Sequence, residues 1–148
     1  MSDFVVLDTS VISRLTKPNS ESLQYQSLLG DRLAAISFQT GAELLSAQFG
    51  TARQSRLESL LRAVTVIGHQ RETSVCYAAV ADARRALKRQ AADGGDAADG
   101  DVWIVATALE HSLPLISHDV QQVHVARSVG VQTFTLLPGL TAGNPSSP

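Results

Sequence analysis

Phe4-Val5-Val6-Leu7-Asp8-Thr9-Ser10 decides the fold. The apolar run is short and rich in β-branched and aromatic residues, which predicts a strand buried on both faces. The three polar residues after it read as a turn into a helix. Working outward, the same alternation recurs. Further strands are predicted at Leu33–Ile36, Val64–Ile67, Leu115–Ser117 and Val131–Leu136. Between them, helices are predicted from Ser10 to the break at Pro18-Asn19-Ser20, over Ser22–Leu29 to Gly30, over Phe38–Phe49 to Gly50, and over Ala52–Ala63. Three more follow over Glu72–Gln90, Asp101–His111 and Val123–Val129; in the first, Val75, Ala79, Ala83 and Leu87 share one stripe. Strands alternating with helices specify an α/β domain: a parallel sheet of about five strands with helices on both faces. Residues 1–137 form that single domain. Ala91–Gly100, small, acidic and glycine-rich, reads as a mobile loop, and 138–148 as a flexible tail.

Composition narrows the class. A chain of 148 residues with 44% hydrophobic and 18% charged residues builds one ordinary core and is not disordered. The longest apolar run, Val75–Ala81, is far shorter than a membrane span, and no secretion signal opens the chain. A single cysteine, Cys76, excludes an internal disulfide and a multi-cysteine zinc site. A soluble cytoplasmic protein is expected, with no membrane partner. The net charge of −2 does not announce a nucleic-acid partner. Any such contact must come from local patches, or from metal ions that offset acids.

In parallel α/β folds, ligands sit beyond the C-terminal ends of the strands, where strand order reverses. Asp8 ends the first predicted strand and Asp119 follows the fourth. Glu43 lies about one turn into the helix after the second, and Asp101 opens the helix feeding the fourth. These carboxylates can converge on one crevice. Two unit charges about 4 Å apart repel by roughly 4 kcal/mol at an effective dielectric of 20, so something positive must sit among them. Mg2+ or Mn2+ is the natural occupant of an all-oxygen site. Each acid alone also has a plainer role. Asp8, Asp101 and Asp119 stand where N-caps could, and Thr40 with Glu43 has the spacing of a capping box.

Four stretches, in order, resemble the PIN-domain ribonucleases, and within them the VapC toxins of toxin–antitoxin pairs. Asp8-Thr9-Ser10-Val11-Ile12-Ser13 is similar to the family's opening motif, and Ile36-Ser37 with Thr40-x-x-Glu43-Leu44 to its glutamate-bearing motif. Asp101-Val102-Trp103-Ile104-Val105-Ala106-Thr107-Ala108-Leu109 resembles its aspartate-led helix, and Leu113-Pro114-Leu115-Ile116-Ser117-His118-Asp119 the strand that ends in the last acid. Gln122-Val123 stands where many relatives carry an Asp-Phe pair. The resemblance implies a PIN-like three-layer α/β/α fold and a metal-dependent endoribonuclease. Asp8, Glu43, Asp101 and Asp119 would be its acidic quartet, with Mg2+ or Mn2+ on Asp8, Asp101 and Asp119. It further implies a cognate VapB-type antitoxin that blocks the site, and frequently a homodimer. Thr9, Ser10 and Ser117 would be supporting hydroxyls. Asp99, in the acidic loop, competes with Asp101 for the metal role.

Arg14 and Lys17 follow the first motif and are candidates for contacting RNA phosphates. Arg84, Arg85, Lys88 and Arg89 suit a helix C-terminus and a solvated face, with an RNA-backbone contact as the alternative reading. Trp103 is expected in the core, and His118 is not expected to bind a hard metal. Aspartyl-phosphate chemistry fits poorly: the chain has only Lys17 and Lys88, and Ser10 stands where a phosphatase of that kind needs a second aspartate. The remaining alternative is a non-catalytic PIN-fold protein-interaction module, whose usual mark is a lost acid; all four are present.

Overall fold

The computed structural model describes residues 3–90 and 99–145, with side chains from 102 onward in the second segment. Five parallel strands form one sheet: β1 (Phe4–Leu7), β2 (Leu33–Ser37), β3 (Thr65–Ile67), β4 (Leu115–Ile116) and β5 (Thr133–Phe134), in the order β3-β2-β1-β4-β5. The helices are α1 (Thr9–Leu15), α2 (Ser20–Leu29), α3 (Phe38–Ser46), α4 (Thr51–Ala63), α5 (Arg71–Gln90), α6 (Asp99–Glu110) and α7 (Val120–Ser128). The α/β/α expectation holds.

The central strand explains the layering. Val5, Val6 and Leu7 are all fully buried, but successive side chains leave a strand on opposite faces. Val5 and Leu7 pack with Val11, Ile12, Tyr25, Leu44 and Leu57, while Val6 packs with Val80, Val102, Val105, Ala108 and Val125. One strand thus anchors two apolar cores. Each fully buried Val or Leu contributes roughly 1.5–3 kcal/mol against exposure.

Several helix limits differ from the sequence reading, each for a local reason. Helix α3 starts at Phe38 as predicted, but the Ser37 side chain accepts the Thr40 N–H at 3.2 Å, so Thr40 is not its cap. The Thr40–Glu43 capping box is therefore absent. Helix α3 ends at Ser46, where Ala47 turns extended, and Gly50 caps α4 instead of closing α3. Asn19 accepts the Ser22 N–H and starts α2 two residues early. Asp119 does the same for α7 by accepting the Gln122 N–H at 3.0 Å. Helix α6 begins at Asp99, so Asp101 lies within its first turn and does not open it. The predicted loop Ala91–Gly100 falls outside the described residues up to position 98.

After β5, Asn144 accepts the Thr135 N–H at 2.8 Å and donates to the Thr135 carbonyl at 2.7 Å. Arg127 donates to the carbonyls of Thr133 and Leu140. These bonds hold the segment through Asn144 against the sheet edge.

Candidate active site

Strand order reverses between β1 and β4, and the residues just after these two strands stand side by side. Asp8 occupies the N-cap position of α1 yet makes no side-chain cap bond. The residue is 2% exposed, and its Oδ2 accepts the Ser117 hydroxyl at 2.7 Å. The same Ser117 oxygen accepts the Asp119 N–H at 3.1 Å. One buried hydroxyl thus joins the first and last acids of the sequence-predicted set. A carboxylate is expensive to bury, and this charge-assisted bond offsets part of the cost.

The Ser10 hydroxyl accepts the His118 N–H at 3.0 Å and pins the β4–α7 turn to the start of α1. The His118 ring turns away from the acids toward the Tyr25 hydroxyl, which also receives the Leu136 N–H at 3.4 Å. Burial pushes the His118 pKa down, and the nearby Arg14 charge adds to that, against a smaller opposing effect of Glu21.

Glu43 approaches from α3. Thr9 donates to its Oε2 at 3.4 Å, and Gln39 donates to Oε1 at 3.3 Å. Thr9 also meets the Thr40 hydroxyl at 3.3 Å, and Ser37 donates to Thr40 at 3.1 Å. Hydroxyls from α1, β2 and α3 therefore connect Glu43 to the residue beside Asp8. The Asp101 backbone lies in the first turn of α6; its side chain is outside the described part. Among the described residues, no three of His, Cys, Asp and Glu stand close enough to form a metal cluster. The structure thus joins Asp8 to Asp119 through Ser117 and links Glu43 to Thr9, the neighbour of Asp8.

The two basic candidates fare differently. Arg14 is tied down: Nε pairs with Glu21 at 2.7 Å and Nη1 donates to the Ser10 carbonyl at 3.0 Å. Lys17 is exposed. Trp103 is half-buried, with its ring centroid 4.3 Å from that of Tyr77, and stands edge-on to Phe38 and His69. Sequence reading gave Thr40 a capping role instead of its hydroxyl link to Thr9 and Ser37, and it missed Tyr25 and Arg53. Thr40 had a visible signal in its hydroxyl one turn before Glu43. Tyr25 and Arg53 lie 93 and 40 residues from their side-chain partners His118 and Ser13, so no local pattern pointed to them.

The chain belongs to a known class. The PIN-domain sequence profile matches residues 5–128, and the chain is a member of the PIN-domain family. No curated protein sequence matches it. Among solved structures it resembles VapBC-1 from nontypeable Haemophilus influenzae, at 25% identity and TM-score 0.64, over 89% of this chain and 97% of that one. It also resembles VapBC-5 from Mycobacterium tuberculosis, a member of the VapBC family of toxin-antitoxin systems, at 26% identity and TM-score 0.58, over 90% and 97%. The fold is shared too with VapBC2 from Rickettsia felis bound to a DNA fragment from its promoter, at 17% identity and TM-score 0.64, over 89% and 98%.

Proposed function

We propose that this chain is a VapC-type toxin: an endoribonuclease that hydrolyses RNA phosphodiester bonds with Mg2+ or Mn2+ and is inhibited by a cognate VapB-type antitoxin. The observation that supports this most is the Ser117 hydroxyl shared by Asp8 and Asp119 at the point of strand reversal. Capping does not account for Asp8, which caps nothing with its side chain, whereas the Asp119 carboxylate also caps α7 and meets Ser117 through its backbone N–H. The likeness to VapBC structures supports the antitoxin partner. A homodimer is the assembly that the family resemblance implies.

The donor set suits a hard divalent cation. It consists of carboxylates with hydroxyl support, and the one nearby imidazole, His118, is engaged with Tyr25. Asp8, Asp101 and Asp119 would hold the ion, with Glu43 completing the quartet. Such an ion supplies Lewis acidity toward a phosphodiester and lowers the pKa of water. The protein's own groups do the rest. Ser117 fixes the Asp8 carboxylate and the Asp119 backbone together, Ser10 locks the turn that carries Asp119, and Thr9 orients Glu43. A carboxylate of the set accepts the proton released by the attacking water. Lys17, exposed beyond α1, and Arg14 are the candidate phosphate contacts.

End-mapping of cellular RNA after brief expression, beside an Asp8→Asn control, tests the reading. New RNA ends are expected with the parent and none with the variant, whose circular dichroism stays that of the parent. Equal cleavage by both refutes the site assignment. No cleavage by a folded parent favours the non-catalytic module.

A further inference from the structure

Beside the acidic crevice lies a pocket of about 190 Å3. It shares Thr9 and Glu43 with the acid site, is walled by Ile12, Leu44 and Ala47, and also carries Arg53. We propose that this pocket is an RNA subsite in which the Arg53 guanidinium holds the phosphate of a nucleotide adjacent to the cleaved bond. The proposal rests on the nuclease reading above.

The charge state of Arg53 carries the argument. Its Nε donates to Thr16 Oγ1 at 3.1 Å, and its Nη2 to Ser13 Oγ at 3.0 Å and the Ser13 carbonyl at 3.4 Å. The guanidinium also lies over the Phe49 ring at 4.1 Å. Every one of these partners is neutral. Among the described residues, no carboxylate is paired with Arg53, whereas Arg14 in α1 is paired with Glu21. Half-buried charges are ordinarily compensated, so a cation held by hydroxyls, a carbonyl and a ring is set to meet an anion from outside. Of the five guanidinium N–H donors, the three bonds above leave those of Nη1 without a partner among the described residues.

Position favours RNA over an acidic peptide as the source of that anion. A strand whose phosphodiester lies at Asp8 and Asp119 and which continues past Thr9 and Glu43 enters this pocket, since those two residues form one of its walls. The acids repel a polyanion, and a cation at their edge offsets the repulsion where the strand enters or leaves. Guanidinium matches phosphate oxygens with two parallel bonds, and such backbone contacts set the register of a strand. The apolar walls accept the face of a sugar or base.

The test measures binding apart from cleavage. A single-stranded RNA oligonucleotide is titrated against Asp8→Asn protein, with and without Arg53→Gln, by fluorescence anisotropy over a series of KCl concentrations. Arg53→Gln is expected to weaken binding and to reduce the slope of log K against log salt by about 0.7, the value for one phosphate on a single strand. Arg53→Lys should restore the slope. In otherwise unaltered enzyme, Arg53→Gln should raise KM and leave kcat in place. Because Arg53 also ties α4 to α1, Ala47→Phe provides a second variant that fills the pocket and keeps the cation; it too should weaken binding. An unchanged slope in folded Arg53→Gln, or unchanged affinity in Ala47→Phe, overturns the subsite while RNA cleavage by the parent leaves the nuclease reading intact. Weaker capture of the antitoxin with unaltered RNA binding assigns the pocket to the protein partner and also overturns it. A parent that neither binds nor cleaves RNA removes the nuclease reading itself.

Discussion

Replacing Ser117 by alanine isolates the contact on which the site geometry depends. The hydroxyl is fully buried, donates to Asp8 Oδ2 at 2.7 Å and accepts the Asp119 N–H at 3.1 Å. A hydrogen bond to a charged group contributes about 1.5–3 kcal/mol, and a neutral one about 0.5–1.5 kcal/mol. Ser117→Ala should therefore cost about 2–4.5 kcal/mol. For a chain of this size 1 kcal/mol corresponds to roughly 2–4 °C, so Tm should fall by about 4–18 °C. The charge on Asp8 is what makes the bond strong, so in an Asp8→Asn background the same substitution should cost about 1 kcal/mol less. Urea unfolding of the four proteins, followed by circular dichroism without divalent ions, closes the double-mutant cycle. Additivity within about 0.5 kcal/mol would mean that Ser117 does not act through the Asp8 carboxylate, and the described geometry would have to be given up.

Other outcomes follow from the same structure. Mg2+ or Mn2+ at about one hundred times its Kd should raise stability by roughly 2.7 kcal/mol, seen as a Tm increase that Asp8→Asn abolishes; an equal increase in the variant places the ion elsewhere. Gly41→Ala should stabilise α3 by up to about 1 kcal/mol in thermal unfolding, because a Cβ there meets Val66 and Ile36 side chains no closer than 3.6 Å while helix propensity improves. Burial raises the Tyr25 pKa above its ordinary 10.0 despite the Leu136 N–H bond. The folded state then keeps a proton that the unfolded chain releases above pH 10.0, so this contribution is present below that pH and lost as pH rises past it. Tyr25→Phe should flatten the decline in stability above pH 10.0, and an unchanged decline assigns it to other groups.

The fold was legible because its signals are local. Phe4–Leu7 has no polar residue to face solvent and is buried on both sides, and the alternation of strands and helices set the parallel sheet. Asp8 and Asp119 were placed by topology alone, since both follow strands that turn out to be neighbours. Some helix starts were less legible because several polar residues competed as caps: Asn19 started α2 before Ser22 and Asp119 started α7 before Val123, whereas α3 starts at the predicted Phe38 with Ser37, not Thr40, as its cap. The supporting hydroxyls of Thr9, Ser10 and Ser117 were named through the resemblance, but two longer-range contacts beside the site were not legible. Tyr25 reaches His118, and Arg53 reaches Ser13 and Thr16, only after separate helices have packed on one face of the sheet. Such pairs leave no spacing in the chain.

The most direct measurement is a crystal structure of the protein grown with Mn2+, with the metal located by anomalous scattering. One or two peaks are expected in the crevice between β1 and β4, within coordination distance of the Asp8 and Asp119 carboxylates and absent from Asp8→Asn crystals. A fully occupied Mn2+ bound away from both residues, or the same peaks in the variant, would contradict a shared metal site.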